Sequence, residues 1–191
     1  VAPNAGEIVV KAITMIDAGM QRYYVPASNV TDSDVSLDLG KWVTFKVPQR
    51  RNHRGATLAP IARPVKLPSP FDGLGQRTVT LPGLKGPFDV EQGIVEIGPK
   101  YMRVAALKYA WEFGLRTTAV PTDVLDEMLR NVTDQQNPKD REAIARFYVQ
   151  ADLFLQALNE LEAIGRDFPE LKDRVEQSSL QAKQFLAQRL L

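Results

Sequence analysis

Proline and glycine are distributed unevenly along this chain, and the contrast limits what it can fold into. They interrupt the sequence repeatedly up to Pro121, whereas the remainder holds one glycine and two prolines. Frequent turn residues between short apolar runs are typical of β structure, and their absence beside a 3.6-residue apolar period is typical of helices. The sequence therefore predicts an α+β protein, with a β-rich domain over residues 1–120 and a helical domain over residues 121–191.

The β-rich part shows an alternating run and a turn sequence. Over residues 107–115, large apolar side chains alternate with small or charged ones, which would place the large ones on one face of a strand. Residues 93–96 and 101–106 flank Gly98-Pro99-Lys100 and predict a hairpin. Many short runs at this spacing favour an antiparallel sandwich or barrel. Five further runs predict strands: 8–16, 22–25, 42–47, 57–61 and 77–81.

The helical part is expected to hold four helices, which its capping residues delimit. Thr122 can cap the first helix. Asn137 can cap the second, with Pro138 at the first helical position, where the missing N–H costs nothing. Gly165 is a candidate C-terminal cap of the third helix, and Pro169 is expected to start the last one.

Residues 141–169 carry the spacing of a helical-hairpin repeat. The residues at the repeat positions are Arg141, Ile144, Ala145, Tyr148, Ala157, Leu161 and Pro169. At these positions the segment resembles a single tetratricopeptide repeat, with an arginine and a leucine in place of the usual tryptophan and phenylalanine. Ile164 also stands where the family has a small residue. About three repeats normally build a binding solenoid, so the family's concave groove is not carried over to this chain.

The resemblance implies two helices that pack closely through small residues and belong to a docking architecture. Ala145 and Ala157 would lie at the helix crossing. Arg141, Tyr148 and Phe154, of which the last fits the aromatic residue that opens the second helix, are the candidates for contact with a partner protein. The expected partner is another protein or a second copy of this chain.

Charge is divided unevenly as well. Residues 1–120 hold 15 Lys and Arg against 10 Asp and Glu, and residues 121–191 hold 9 against 13. No acid occurs between residues 41 and 71, and the centre of that stretch is expected to be an exposed loop. An acidic protein or polysaccharide surface is favoured over nucleic acid as its partner, because the overall pI of about 8.1 is ordinary. The acidic helical part of a second copy is a further alternative. The candidate polyanion contacts are Arg50, Arg51, His53 and Arg54.

Patterns that would indicate catalysis or metal binding are weak. The chain has one histidine and no cysteine, which excludes a disulfide framework, a thiolate zinc site and a cysteine nucleophile. No serine lies in a nucleophile elbow, no glycine-rich phosphate loop occurs, and no spacing singles out a pair of carboxylates. Oxygen-bearing side chains alternate as at the start of a calcium loop at Asp32, Asp34, Ser36 and Asp38, but the loop's glycine and its bidentate glutamate are missing. We predict no enzyme activity, no cofactor and no metal site.

These observations favour a non-catalytic protein-interaction or assembly module. The alternative is an accessory or carbohydrate-binding domain of a hydrolase, which would need an exposed row of aromatic side chains on its strands. No apolar run reaches the roughly 20 residues that span a bilayer. The start at Val1 instead of Met predicts a processed bacterial export, periplasmic or extracellular, or a piece of a larger chain, with a cytoplasmic location as the alternative.

Overall fold

The computed structural model describes residues 13–18, 21–26, 42–52, 58 and 64–189, and for the first two ranges it describes the backbone alone. Within these residues seven strands precede four helices, so the predicted α+β class is confirmed. The strands are β1 (Ile13–Ala18), β2 (Gln21–Pro26), β3 (Phe45–Lys46), β4 (Gln76–Leu81), β5 (Phe88–Ile97), β6 (Tyr101–Ala106) and β7 (Glu112–Arg116). The helices are α1 (Thr122–Asn131), α2 (Pro138–Gln150), α3 (Phe154–Asp167) and α4 (Lys172–Arg189).

The described strands form one sheet in the order β2-β1-β7-β6-β5-β3, with β4 also paired to β5. Residues 88–93 of β5 pair with β4 and residues 96–97 pair with β3, while β6 takes the other edge of this long strand. Strands β3 to β7 are antiparallel, whereas β1 joins β7 in parallel. Since these strands make a single sheet, the predicted sandwich or barrel is not confirmed.

The predicted hairpin is confirmed, and the predicted long strand is shorter than expected. β5 and β6 meet at the turn of residues 98–100, where the Gly98 N–H donates to the Tyr101 carbonyl at 3.1 Å. The strand expected over residues 107–115 begins at Glu112, because the preceding residues reverse the chain between β6 and β7. The Ala106 N–H donates to the Trp111 carbonyl at 2.8 Å and closes that reversal.

Two helix-capping predictions are wrong, and one is confirmed. The Asn137 side chain accepts a hydrogen bond from the Lys139 N–H at 3.1 Å, as predicted for the start of α2. Thr122 is the first residue of α1 and not its cap, since Pro121 takes that position without a side-chain bond. Gly165 lies inside α3, which continues to Asp167. Pro169 starts a single 3-10 turn that leads directly into α4.

Helices α1 and α2 pack against the sheet, and the buried apolar side chains form two clusters. The larger cluster joins the sheet to α1 and α2, and the Phe147 ring meets the Phe45 ring edge-on at 5.8 Å between centroids. Its buried members from residues 121–191 are Leu125, Met128, Leu129, Ile144, Phe147, Tyr148, Ala151 and Ala157. The smaller cluster lies among α2, α3 and α4 and consists of Ala145, Leu161, Ile164 and Val175. None of the helices in the described part of the chain is long and apolar enough to cross a membrane.

Candidate functional site

An open groove of about 340 Å³ lies between α2 and α4. Its floor is apolar, because Ala145, Leu161, Val175 and Ala182 are all buried beneath it. Two half-buried apolar side chains, Val149 and Phe185, also line it. The groove therefore exposes two partly buried apolar side chains above a buried apolar floor, a shape that accepts a side chain or a short segment from a partner.

Charged residues form the rim of this groove. Arg146 on α2 is exposed, and Arg174 on α4 has a side chain that is 65% exposed. The Arg174 Nη2 donates to the Glu142 Oε2 at 3.0 Å, which links the two walls. Ser178 and Gln181 add uncharged polar groups on α4. The lining charges sum to +1, so the groove differs from the acidic helical part around it.

A second cleft, of about 320 Å³, lies between α1 and α3 and is polar. Thr122 and Asp123 from α1 face Gln156 and Asn159 from α3 across it. The cleft opens over a network of charges that is only partly buried. Its chemistry therefore depends on whether those charges are free or already paired.

The network is centred on Glu160, which is only 2% exposed. The Arg130 Nη2 donates to the Glu160 Oε2 at 2.9 Å, and the Arg141 Nε donates to the Glu160 Oε1. Arg130 also binds Asp126 through its Nε, at 2.8 Å, and through its Nη2, at 3.1 Å. The Tyr148 hydroxyl donates to the Asp126 Oδ1 at 2.7 Å. Each oxygen of Glu160 thus receives a guanidinium from a different helix.

The same network shifts three pKa values. Burial, followed by the hydrogen bond to Asp126, raises the pKa of the Tyr148 hydroxyl well above its ordinary value, so this group stays protonated and acts as a donor. The hydrogen bond that Arg130 donates to Asp126 raises the pKa of Arg130, against an opposing effect of burial. The hydrogen bond from Arg141, with a further contribution from Arg166, lowers the pKa of Asp167 below its ordinary value.

The polar cleft brings acids together but leaves them paired. Asp126 and Glu160 both accept from Arg130, so they act as ion-pair partners and not as a free acid and a free base. In the described residues no group of three or more metal-binding side chains is close enough to hold an ion. The geometry of the cleft fits a structural role in joining α1, α2 and α3.

The three predicted protein-contact residues lie inside the fold. Arg141 is 6% exposed, Tyr148 is 1% exposed and Phe154 is 7% exposed. Two of them belong to the charge network, and all three leave little surface for a partner. The repeat spacing identified residues that hold the helices together, because a residue that faces a neighbouring helix is covered by it.

The predicted polyanion contacts are divided between described and undescribed residues. Arg50 is exposed. The Arg51 Nη2 forms an ion pair with the Glu112 Oε1 at 2.7 Å, so part of the expected positive charge is neutralised on the sheet. His53 and Arg54, like the acidic run that includes Asp32, lie outside the described residues. The described part of the loop thus presents one exposed guanidinium.

Sequence reasoning missed the groove between α2 and α4. The signal for it was the row Arg174, Ser178, Gln181 and Phe185, which recurs every three to four residues and follows one face of a helix. The sequence alone does not distinguish this row, which lines the groove, from the neighbouring row of Val175 and Ala182, which is buried. No family model matches the chain, and neither a curated protein nor a solved structure matches it significantly.

The lowered pKa of Asp167 gives a testable pH dependence. A carboxylate whose pKa is lower in the folded state stabilises the fold above its ordinary pKa and loses that effect as the pH falls through the folded-state pKa. We therefore expect Asp167→Asn to lower the urea midpoint at about pH 7 and to match the parent near pH 2. The control is Glu170→Gln, an exposed residue next to α4. Equal differences at both pH values would contradict the assignment.

Proposed function

We propose that this chain is a non-catalytic protein-interaction or assembly module that binds a partner in the groove between α2 and α4. The observation that carries the proposal is the groove itself, an open recess between two helices that exposes part of Val149 and Phe185. Its cationic rim of Arg146 and Arg174 would orient a segment that carries acidic residues. The partner is another protein or a second copy of the chain.

The packing of α2 against α3 supports a second part of the proposal, a tetratricopeptide-like hairpin. Ala145 is 3% exposed and Ala157 is fully buried, as expected where two helices approach closely. α4 packs on α3 and follows Pro169, in the position of the first helix of a next repeat. The groove would then lie between the first helices of two successive units. Export from a bacterial cell, or membership in a larger chain, rests on the sequence alone.

Site-specific photo-crosslinking tests the location of the binding surface. A photoreactive amino acid at Gln181 would face the groove, whereas one at Leu155, which is 64% exposed on α3, would lie outside it. We expect a discrete adduct, with one other protein or with a second copy of this chain, from position 181 and none from position 155. The same adducts from both positions would contradict the proposal.

Charge reversal then tests the contribution of the rim with the purified crosslinked partner. Arg146→Glu should weaken binding by about tenfold, because it replaces an attractive charge at the groove with a repulsive one. Arg116→Glu is the matched control, since Arg116 is an exposed arginine at the end of β7. Equal affinities of the two variants would remove the rim from the docking surface.

A carbohydrate-binding domain remains the second candidate, and one observation favours it. The Trp42 side chain is 45% exposed just before β3, where an indole could stack on a sugar. Trp111 does not extend this surface, because it is 5% exposed and packs on Phe113 with ring centroids 5.2 Å apart. Retardation in polysaccharide gels that Trp42→Ala abolishes would favour this function over protein docking.

A further inference from the structure

We infer that α3 and α4 form an arm that opens from the rest of the protein as one unit before the sheet unfolds. The arm comprises residues 154–189, and the body comprises the sheet with α1 and α2. The chain enters the arm through Asp152, which has a φ of 61° and lies in the turn after α2. Its carboxylate forms an ion pair with Lys100 at 3.0 Å, so the turn stays attached to the sheet.

The two apolar clusters divide the molecule along the boundary between arm and body. Of the described side chains in α3 and α4, only Ala157 is buried in the cluster that contains the sheet. In the other direction, only Ala145 of the body is buried in the cluster of the arm. An alanine side chain is a single methyl group, so each cluster takes little apolar area from across the boundary, and the hydrophobic effect is roughly proportional to that area. Among the described apolar residues of the arm, Phe154, which is 7% exposed, is the one large buried side chain outside both clusters.

Ion pairs supply most of the remaining links. Glu160 of the arm binds Arg130 and Arg141 of the body. The Arg141 Nη1 also lies 3.3 Å from the Asp167 Oδ2, and at the rim of the groove Arg174 pairs with Glu142. Ion pairs gain little net free energy relative to water, because desolvation offsets much of the attraction. The arm should therefore open at a smaller cost in free energy than global unfolding requires.

Opening of the arm would control the groove, which is the part of this inference that rests on the proposed function. One wall of the groove belongs to α2 in the body and the other to α4 in the arm. An open arm has no groove, so a partner that fills the groove would hold the arm closed by mass action. The separate opening of the arm is a property of the unliganded chain and can be tested without a partner.

Hydrogen exchange of the full chain, followed by mass spectrometry, tests the separate opening. In the open state the sheet stays folded, so a substitution in the core of the sheet should not change the opening of the arm. Ile94 is fully buried in β5, and Ile94→Val should speed exchange in β4 to β7 roughly two- to twelvefold. We expect no change in the exchange of α3 and α4. An equal acceleration in the arm would overturn the inference.

Glu160→Gln tests the ion pairs in the same experiment. Removing the charge should speed exchange throughout α3 and α4 by at least about 100-fold, because the buried Arg141 guanidinium loses its buried partner and keeps only the contact with Asp167 at 3.3 Å. Glu162→Gln is the matched control, since Glu162 is exposed on the same helix. Similar rates for Glu160→Gln, Glu162→Gln and the parent in the arm would overturn the role of the ion pairs. The Ile94→Val experiment tests the separate opening of the arm even when Glu160→Gln does not fold.

Discussion

Glu160→Gln should lower the free energy of unfolding by about 3–5 kcal/mol, the range found when a buried ion pair loses one partner. Glu160 is 2% exposed and Arg141 is 6% exposed, so water cannot replace the lost charge. Urea titrations followed by far-ultraviolet circular dichroism would measure the loss. Tryptophan fluorescence reports the sheet side of the molecule, since both tryptophans precede residue 120. The helical signal should change first in the variant.

A rescue variant separates the loss of the pair from the loss of packing. Replacing both members of the buried Arg141–Glu160 pair with apolar residues, as in Arg141→Met with Glu160→Leu, should recover much of the stability, because the desolvation cost of that pair disappears with its charges. Arg130 loses Glu160 in this variant but keeps its bonds to Asp126. Glu162→Gln should stay within about 0.5 kcal/mol of the parent, as surface substitutions usually do. If Glu160→Gln were as mild as this control, the ion pairs would not be closed in solution.

The patterns that predicted the elements correctly are local ones. Asn137 followed by Pro138 fixes the start of α2, because both the cap and the first helical position depend on neighbouring residues. The alternating large side chains of Trp111, Phe113 and Leu115 are all buried. Trp111 lies just before β7, and the other two lie in it. The residues just before them alternate in the same way but form a turn, because the chain must reverse there to pair β7 with β6. A period of two in the sequence therefore does not by itself distinguish a strand from a turn of this kind.

The order of the strands could not be predicted, because pairing is decided by contacts that are distant in sequence. Thr14 of β1 pairs in parallel with Gly114 of β7. A single strand, β5, holds β4 and β3 along one edge. A short apolar run in the sequence does not indicate which of several similar strands it will pair with in the sheet. The sequence therefore predicted the class of fold, whereas the sheet had to be observed.

The contacts of the candidate site could not be predicted from the sequence for the same reason. Arg141 and Tyr148 were singled out by their spacing along α2, and the structure explains their residue types by Glu160 and Asp126 on two other helices. Those partners lie 19 and 22 residues away in sequence, beyond any helical period. The sequence showed that α2 has special residues but not that they face inward. Their exposure depends on how α1 and α3 pack around α2.

Leu129→Ala should cost about 2–5 kcal/mol of stability, the range for truncating a buried leucine and leaving a cavity. Leu129 in α1 is fully buried in the cluster that joins this helix to the sheet. Urea unfolding followed by tryptophan fluorescence would measure the loss. The variant should unfold at a lower midpoint with little change in the dependence on urea, since the surface exposed on unfolding is nearly the same.

Leu155→Ala is the matched control for this prediction. Leu155→Ala removes the same atoms from a helix, but the Leu155 side chain is 64% exposed, so almost no cavity results. We expect a change within about 0.5 kcal/mol. A large loss for Leu155→Ala would mean that this side chain is covered in solution, by another molecule or by another part of the chain. A small loss for Leu129→Ala would instead mean that α1 is not held against the sheet, and the core shared by sheet and helices would have to be abandoned.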